Sequence, residues 1–132
     1  MAGDSGTGLQ VEMVAADRTV WSGEASMVIA RTTEGDVGVL RGHAPLLSLL
    51  TDATVEISAS EGIVHAVVDG GFLSVAGDRV SILSERAVLA EEIKIDEAKA
   101  ELEAAHGLPT GDERELRIRR AEARIRAVEK SS

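Results

Sequence analysis

The side chains best placed to do chemistry in this 132-residue chain lie in one run, "EGDVGVLRGHAPLL", residues 34–47. His43 titrates closest to neutrality and would serve as general base, with Asp36 or Glu34 as the acid that orients it. Nothing beside them supplies a nucleophile or electrophile. The run also lacks the G-x-x-x-x-G-K-[ST] pattern of a phosphate loop, and no lysine is near enough in sequence to replace the missing one. A structural or docking reading fits better: Gly35, Gly38 and Gly42 form backbone turns, Pro45 holds Ala44 extended, and His43 bonds a loop carbonyl. No catalytic residue is assigned.

The remaining candidates are few. His43, His65 and His106 are the only histidines, and none has a partner at the i+4 spacing of a helical metal site, so no metal is expected. His65, between Val64 and Ala66 in a strand-like run, reads as a solvent-facing or satisfied residue. With no cysteine, neither a disulfide nor a thiolate metal site can form. Arg120 and Arg124 are four apart, and like charges at that spacing destabilise a helix by a few tenths of a kcal/mol unless an anion compensates. Acids of the preceding helix, solvent, or polyphosphate oxygens would each do so.

The elements that must position these residues fall into two tracts of different period. From about residue 9 to 90, short β-branched runs are separated by turn residues; Val55 and Ile57 alternate with Glu56 and Ser58, and Leu73 and Val75 with Ser74 and Ala76. Ser60-Glu61-Gly62 and Ala76-Gly77-Asp78 sit where hairpins reverse. A sandwich or flattened barrel is predicted, and with one Trp and one Phe its core must rest on Val, Ile and Leu. Residues 1–8 are Gly/Ser-rich and are expected to be disordered.

Residues 91–132 switch to helix formers. Ile95, Ala98, Leu102 and Ala105 make one narrow stripe, and Ile118, Ala121, Ile125 and Val128 another, predicting an antiparallel two-helix hairpin joined stripe to stripe. Gly107 suits a left-handed cap, and Asp112 with Glu115 resembles a capping box. The first helix carries two lysines against six acids (91–105), the second seven basic residues against four acids (113–130), so the pair attract. The net charge of −9 disfavours nucleic acid as a partner. With no basic and apolar leader and no run approaching about 18 apolar residues, a soluble chain is expected, reaching a membrane only through partners.

"EGDVGVLRGHAPLL" resembles the E-G-[acid]-x-G-[IV]-x-x-G-H-A-P-L-L signature of the epsilon subunit of the bacterial F-type ATP synthase. "VDGGFLSVAGDRVSILSERAV" is similar to the same family's G-G-F-x-x-V…V-x-[IV]-L-x-x-x-A stretch, and the resemblance runs from about Leu9 to Glu129. It implies a noncatalytic central-stalk (rotor) subunit of a proton-translocating synthase, peripheral at the cytoplasmic face of the bacterial plasma membrane. The implied fold is a β-sandwich of about ten strands that grips the gamma subunit and rests on the c-ring. The implied C-terminal hairpin restrains ATP hydrolysis through the catalytic alpha/beta subunits. Asp36 matches the c-ring docking position and His43 the gamma docking position.

The family's nucleotide motif, I/L-D-x-x-R-A, is met by "IDEAKA" at Ile95, Asp96 and Ala100, with Lys99 in place of arginine. Arg120 and Arg124 in "RAEAR" match the family's R-A-x-x-R, and His106 aligns with a third arginine. Lysine and histidine offer no planar bidentate fork, so the implied ATP site is weak and no cofactor is required. The alternative is a free-standing small-molecule or nucleotide-binding module. A rotor subunit should leave an apolar docking surface on the sandwich, whereas a ligand module should show a concave pocket of converging polar groups.

Overall fold

The computed structural model describes residues 8–131. Of the tract 1–8 expected to be disordered, residues 1–7 lie outside the described residues, and Gly8 is buried. Eight strands follow: β1 (Leu9–Val14), β2 (Thr19–Thr32), β3 (Gly35–Leu40), β4 (Leu46–Ala59), β5 (Gly62–Val68), β6 (Gly71–Ala76), β7 (Arg79–Leu83) and β8 (Ala87–Leu89). A 3-10 turn (Ala90–Glu92) then leads into α1 (Ile95–His106) and α2 (Asp112–Ser131).

Two strands of 14 residues shape the sandwich. The first half of β2 pairs with β1 and its second half with both β3 and β4. Likewise β4 begins against β6 and ends between β2 and β5. Register shifts at Ala25/Met27 and Ala30/Thr32 let β2 bend from one sheet to the other. The first sheet therefore runs β2-β1-β7-β6-β4, with β1 and β7 parallel, and the second β3-β2-β4-β5-β8. Among the described residues there are eight strands where the resemblance implies about ten, and the two long strands each serve both sheets.

Alternation decides which face is buried. Val11, Met13, Val55, Ile57, Leu73, Val75, Val80 and Ile82 point inward and form a single core with Leu9, Val28 and Val39. Each fully buried Val, Leu or Ile contributes about 1.5–3 kcal/mol over exposure. Neither large aromatic is fully buried: Trp21 packs at the core's margin and Phe72 faces solvent.

Several local expectations need correction. Gly35 (φ 116°) and Gly42 (φ 85°) do occupy conformations that favour glycine, but Gly38 is an ordinary β3 residue opposite Ile29. Gly107 closes α1 in right-handed geometry (φ −84°), its N–H bonded back to Ala104 and Ala105. Asp112 is the first residue of α2 rather than its cap.

The hairpin is folded back onto the outer face of the second sheet. On α1, Ala98 and Ala105 are buried and Leu102 half-buried, as the stripe predicts. On α2, however, there are two buried faces. Ala121 shares the interhelical cleft with Ala104 and Ala105, whereas Ala123 and Ala127 rest on Val67, Ala90, Val88 and Ile93. Alanine on both faces lets α2 sit between the sandwich and α1 at close range.

Candidate functional site

The residues of the 34–47 run fall at opposite ends of β3. Asp36, near its start, pairs with its cross-strand neighbour Arg31 (2.9 Å). His43 lies beyond its end, with Nδ1 2.6 Å from the Ala44 carbonyl oxygen. A carbonyl only accepts, so the Nδ1–H tautomer is held there. A six-residue strand spans about 17–20 Å, so neither Asp36 nor Glu34 orients His43 and no catalytic dyad forms. The loop is fixed instead: the Gly42 N–H donates to Asp78 Oδ1 (2.6 Å), in the β6–β7 turn where Gly77 and Asp78 both take positive φ.

That loop leads directly into an apolar face that sequence reasoning did not assign to residues. Leu47 and Leu49 of β4 point outward, with Leu47 73% exposed. Leu49 pairs with Phe72 of β6, and Phe72 with Leu83 of β7, both about half exposed. These four side chains form a bare band on the first sheet, on the side away from the hairpin. "LLSLL" carried the signal, because leucines at 46, 47, 49 and 50 leave both faces of one strand apolar. Gly71 fixes how Phe72 is presented: it sits at φ 117°, and a Cβ there would lie 2.0 Å from the Leu83 carbonyl oxygen.

On the opposite face, α2 lays its arginines over two carboxylates of the sandwich. Arg124 grips Asp69 with both terminal nitrogens (3.0 Å each), and Asp69 exposes only 3% of its side chain. Arg120 Nε lies 3.5 Å from Asp52 and 3.9 Å from Asp69, and Arg119 reaches Asp52 at 3.3 Å. The compensation for Arg120 and Arg124 thus comes from carboxylates of the sandwich, Asp52 within β4 and Asp69 just after β5, and not from the first helix. An acid between Val68 and Gly70, following an apolar run, was the available signal.

A cleft of about 290 Å³ between the helices and the sandwich is lined by Arg86, Arg117, Arg120, Arg124 and Asp69, among others. The acids Glu101 and Glu113 line it too, and Glu113 is bonded to Arg117. Asp96, Lys99 and His106 are exposed and do not line it, so the folded hairpin brings together only two of the five sequence candidates for nucleotide. His65 is largely covered, and Glu56 lies 3.9 Å from both its Nδ1 and Lys130 Nζ. Among the described residues no cluster of three or more His, Cys, Asp or Glu could hold a metal, and no helix is long and apolar enough to cross a membrane.

A third ionic contact pins the junction of the two parts. Arg18, in the β1–β2 turn, forks onto Glu92 at 2.6 and 2.9 Å, and Glu92 also accepts the Leu89 N–H (2.9 Å). The Arg18 hydrogen bond, then the Leu89 N–H, hold the Glu92 carboxyl below the usual carboxylate range; the same pair raises Arg18.

A β-sandwich with an exposed apolar band on one face and a helix hairpin folded over the other has no assembled catalytic group among the described residues and is the build of a docking module. Residues 8–90 match the family model of the ATP synthase Delta/Epsilon chain, beta-sandwich domain. The ATP synthase epsilon chain of Streptomyces griseus is 52% identical over 121 residues, covering 91% of this chain and 94% of that one. That of Thermobifida fusca is 48% identical over 125 residues, covering 91% of each. A chain of the Euglena gracilis mitochondrial ATP synthase (OSCP/F1/c-ring) superposes with TM-score 0.73 at 26% identity, over 95% of this chain and 81% of that one. A chain of the Tetrahymena thermophila mitochondrial ATP synthase central stalk/c-ring shares the fold, with TM-score 0.61 at 13% identity, over 93% of this chain and 95% of that one. The chain belongs to the ATP synthase epsilon-chain family, whose members are subunits of the complex and not its catalytic ones.

Proposed function

We propose that this chain is a rotor subunit of the central stalk, coupling the gamma subunit to the c-ring of a proton-translocating synthase. Its place would be peripheral, at the cytoplasmic face of a bacterial plasma membrane. The observation that carries the reading is the bare band of Leu47, Leu49, Phe72 and Leu83. Four large apolar side chains on a stiff sheet are what a permanent partner buries. In this reading gamma covers the band and the adjoining His43 loop, and the Asp36 end of β3 approaches the polar loops of the c-ring. A loop tied at Gly42 and Asp78 holds one shape under torque. The hairpin restrains ATP hydrolysis by reaching the alpha/beta subunits when it leaves the sandwich.

ATP has only a weak place here. Phosphates approaching Arg120 and Arg124 would have to displace Asp69 and Asp52, while Lys99 and His106 stand outside the cleft. The free-standing ligand module is less well supported, because Arg124 and Arg120, which line the cleft, already face the carboxylates of Asp69 and Asp52. Mixing the purified chain with purified gamma and with detergent-solubilised c-ring tests the reading. A stable ternary complex supports it; no association with gamma overturns it.

A further inference from the structure

We infer that Asp69 and Asp52 form a ligand-independent ionic latch that holds the hairpin on the sandwich through Arg124, Arg120 and Arg119, and that salt loosens it. The apolar seam under α2 is small, since Ala123 and Ala127 offer only methyl groups to Val67, Val88, Ala90 and Ile93. Such a seam permits close approach but grips weakly and tolerates sliding. The bidentate Arg124–Asp69 pair supplies what the seam lacks. Its fork fixes both the rotation and the height of α2, and both side chains are largely shielded from water, at 13% and 3% exposure. Arg119 and Arg120 share Asp52, itself 9% exposed. If α2 leaves, the two carboxylates lose all three of these arginines together, and of the pairs described here Asp69 keeps only the exposed Arg86 at 4.0 Å. Release is therefore cooperative.

The pivot is also defined. Arg18 holds Glu92 to the β1–β2 turn, so motion must begin beyond it, at Ile93 and Lys94. Both of these are extended (φ −86° and −93°) between the pinned turn and α1.

The test is hydrogen exchange on the full chain. Asp69→Asn and, separately, Arg124→Gln should each lower the protection of α2 amides by about ten- to hundredfold, the equivalent of one charge-assisted bond. Amides of β1, β6 and β7 should keep theirs. Raising the salt from about 0.05 to 1 M should lower α2 protection in the wild type through the more exposed Arg119 and Arg120 contacts to Asp52, and those contacts should leave part of the salt effect in either variant. Because Arg124 lies on the helix, its variant decides the matter if Asp69→Asn disturbs the sandwich. Unchanged α2 protection in Arg124→Gln, or protection in the wild type indifferent to salt, overturns the latch. The consequence for activity rests on the regulatory role proposed above and is read separately, as ATP hydrolysis by the assembled complex. Loss of α2 protection with unchanged hydrolysis leaves the latch standing and removes the regulatory role.

Discussion

At the scale of single residues, the fold depends on a few positions whose chemistry allows no substitute. Gly71 is one: its φ of 117°, and a Leu83 carbonyl oxygen that an added Cβ would meet at 2.0 Å, leave no room for a side chain. Gly71→Ala should cost at least about 1–3 kcal/mol from backbone conformation alone. Thermal unfolding would show it, and a stability equal to wild type would contradict the geometry. Glu92 gives a pH signature. Because its folded carboxyl is held below the ordinary value by Arg18 and the Leu89 N–H, its contribution is present above that ordinary value and is lost as pH falls through the folded one. The stability difference between wild type and Glu92→Gln should therefore be seen at pH 7 and shrink as pH falls below the ordinary carboxylate value; a gap that persists in strong acid would assign it to something other than charge. Nucleotide supplies a third test. Titration of the isolated chain with ATP should saturate only at about millimolar concentration or above, because Arg120 and Arg124 are occupied by carboxylates. Micromolar binding would mean that the cleft opens and re-pairs its arginines.

At the scale of elements, the sandwich and the hairpin are joined by one small seam and a few ion pairs. Truncation after Ala90 would uncover Val67 and Val88 but leave the main core, from Leu9 to Ala87, untouched. The truncated chain should unfold cooperatively, with a midpoint shifted by only a few degrees; loss of cooperativity would show that the hairpin completes the core. The strands were legible because their alternation is local: Val55–Ile57 and Leu73–Val75 declare their buried face within four residues. The hairpin was legible from its composition. What could not be read was which surfaces meet. The second alanine face of α2 looks like ordinary helix filler until Val67 and Val88 are seen beneath it. Asp52 and Asp69 look like turn acids until Arg120 and Arg124, more than 50 residues away, come down on them. His43 and Asp36, seven apart in one glycine-rich run, left an acid–base pair conceivable beside the docking reading, and an intervening strand holds them apart.

At the scale of the whole molecule, the two outer faces of the sandwich have opposite fates. One is covered by the chain's own helices through small residues and ion pairs, a contact suited to release. The other offers large apolar side chains that no described residue covers, a contact suited to permanence. That asymmetry fits the rotor role proposed above, in which one face is fixed to gamma and the other can release the hairpin. The most direct measurement is the affinity for purified gamma of wild type against Leu47→Asp/Leu49→Asp. Both positions are outward-facing, so the sandwich fold should survive and can be checked by its unfolding midpoint. Burying two unpaired carboxylates in an apolar interface should weaken binding by at least about a hundredfold. Equal affinity in a correctly folded double variant would contradict the docking of gamma on this face.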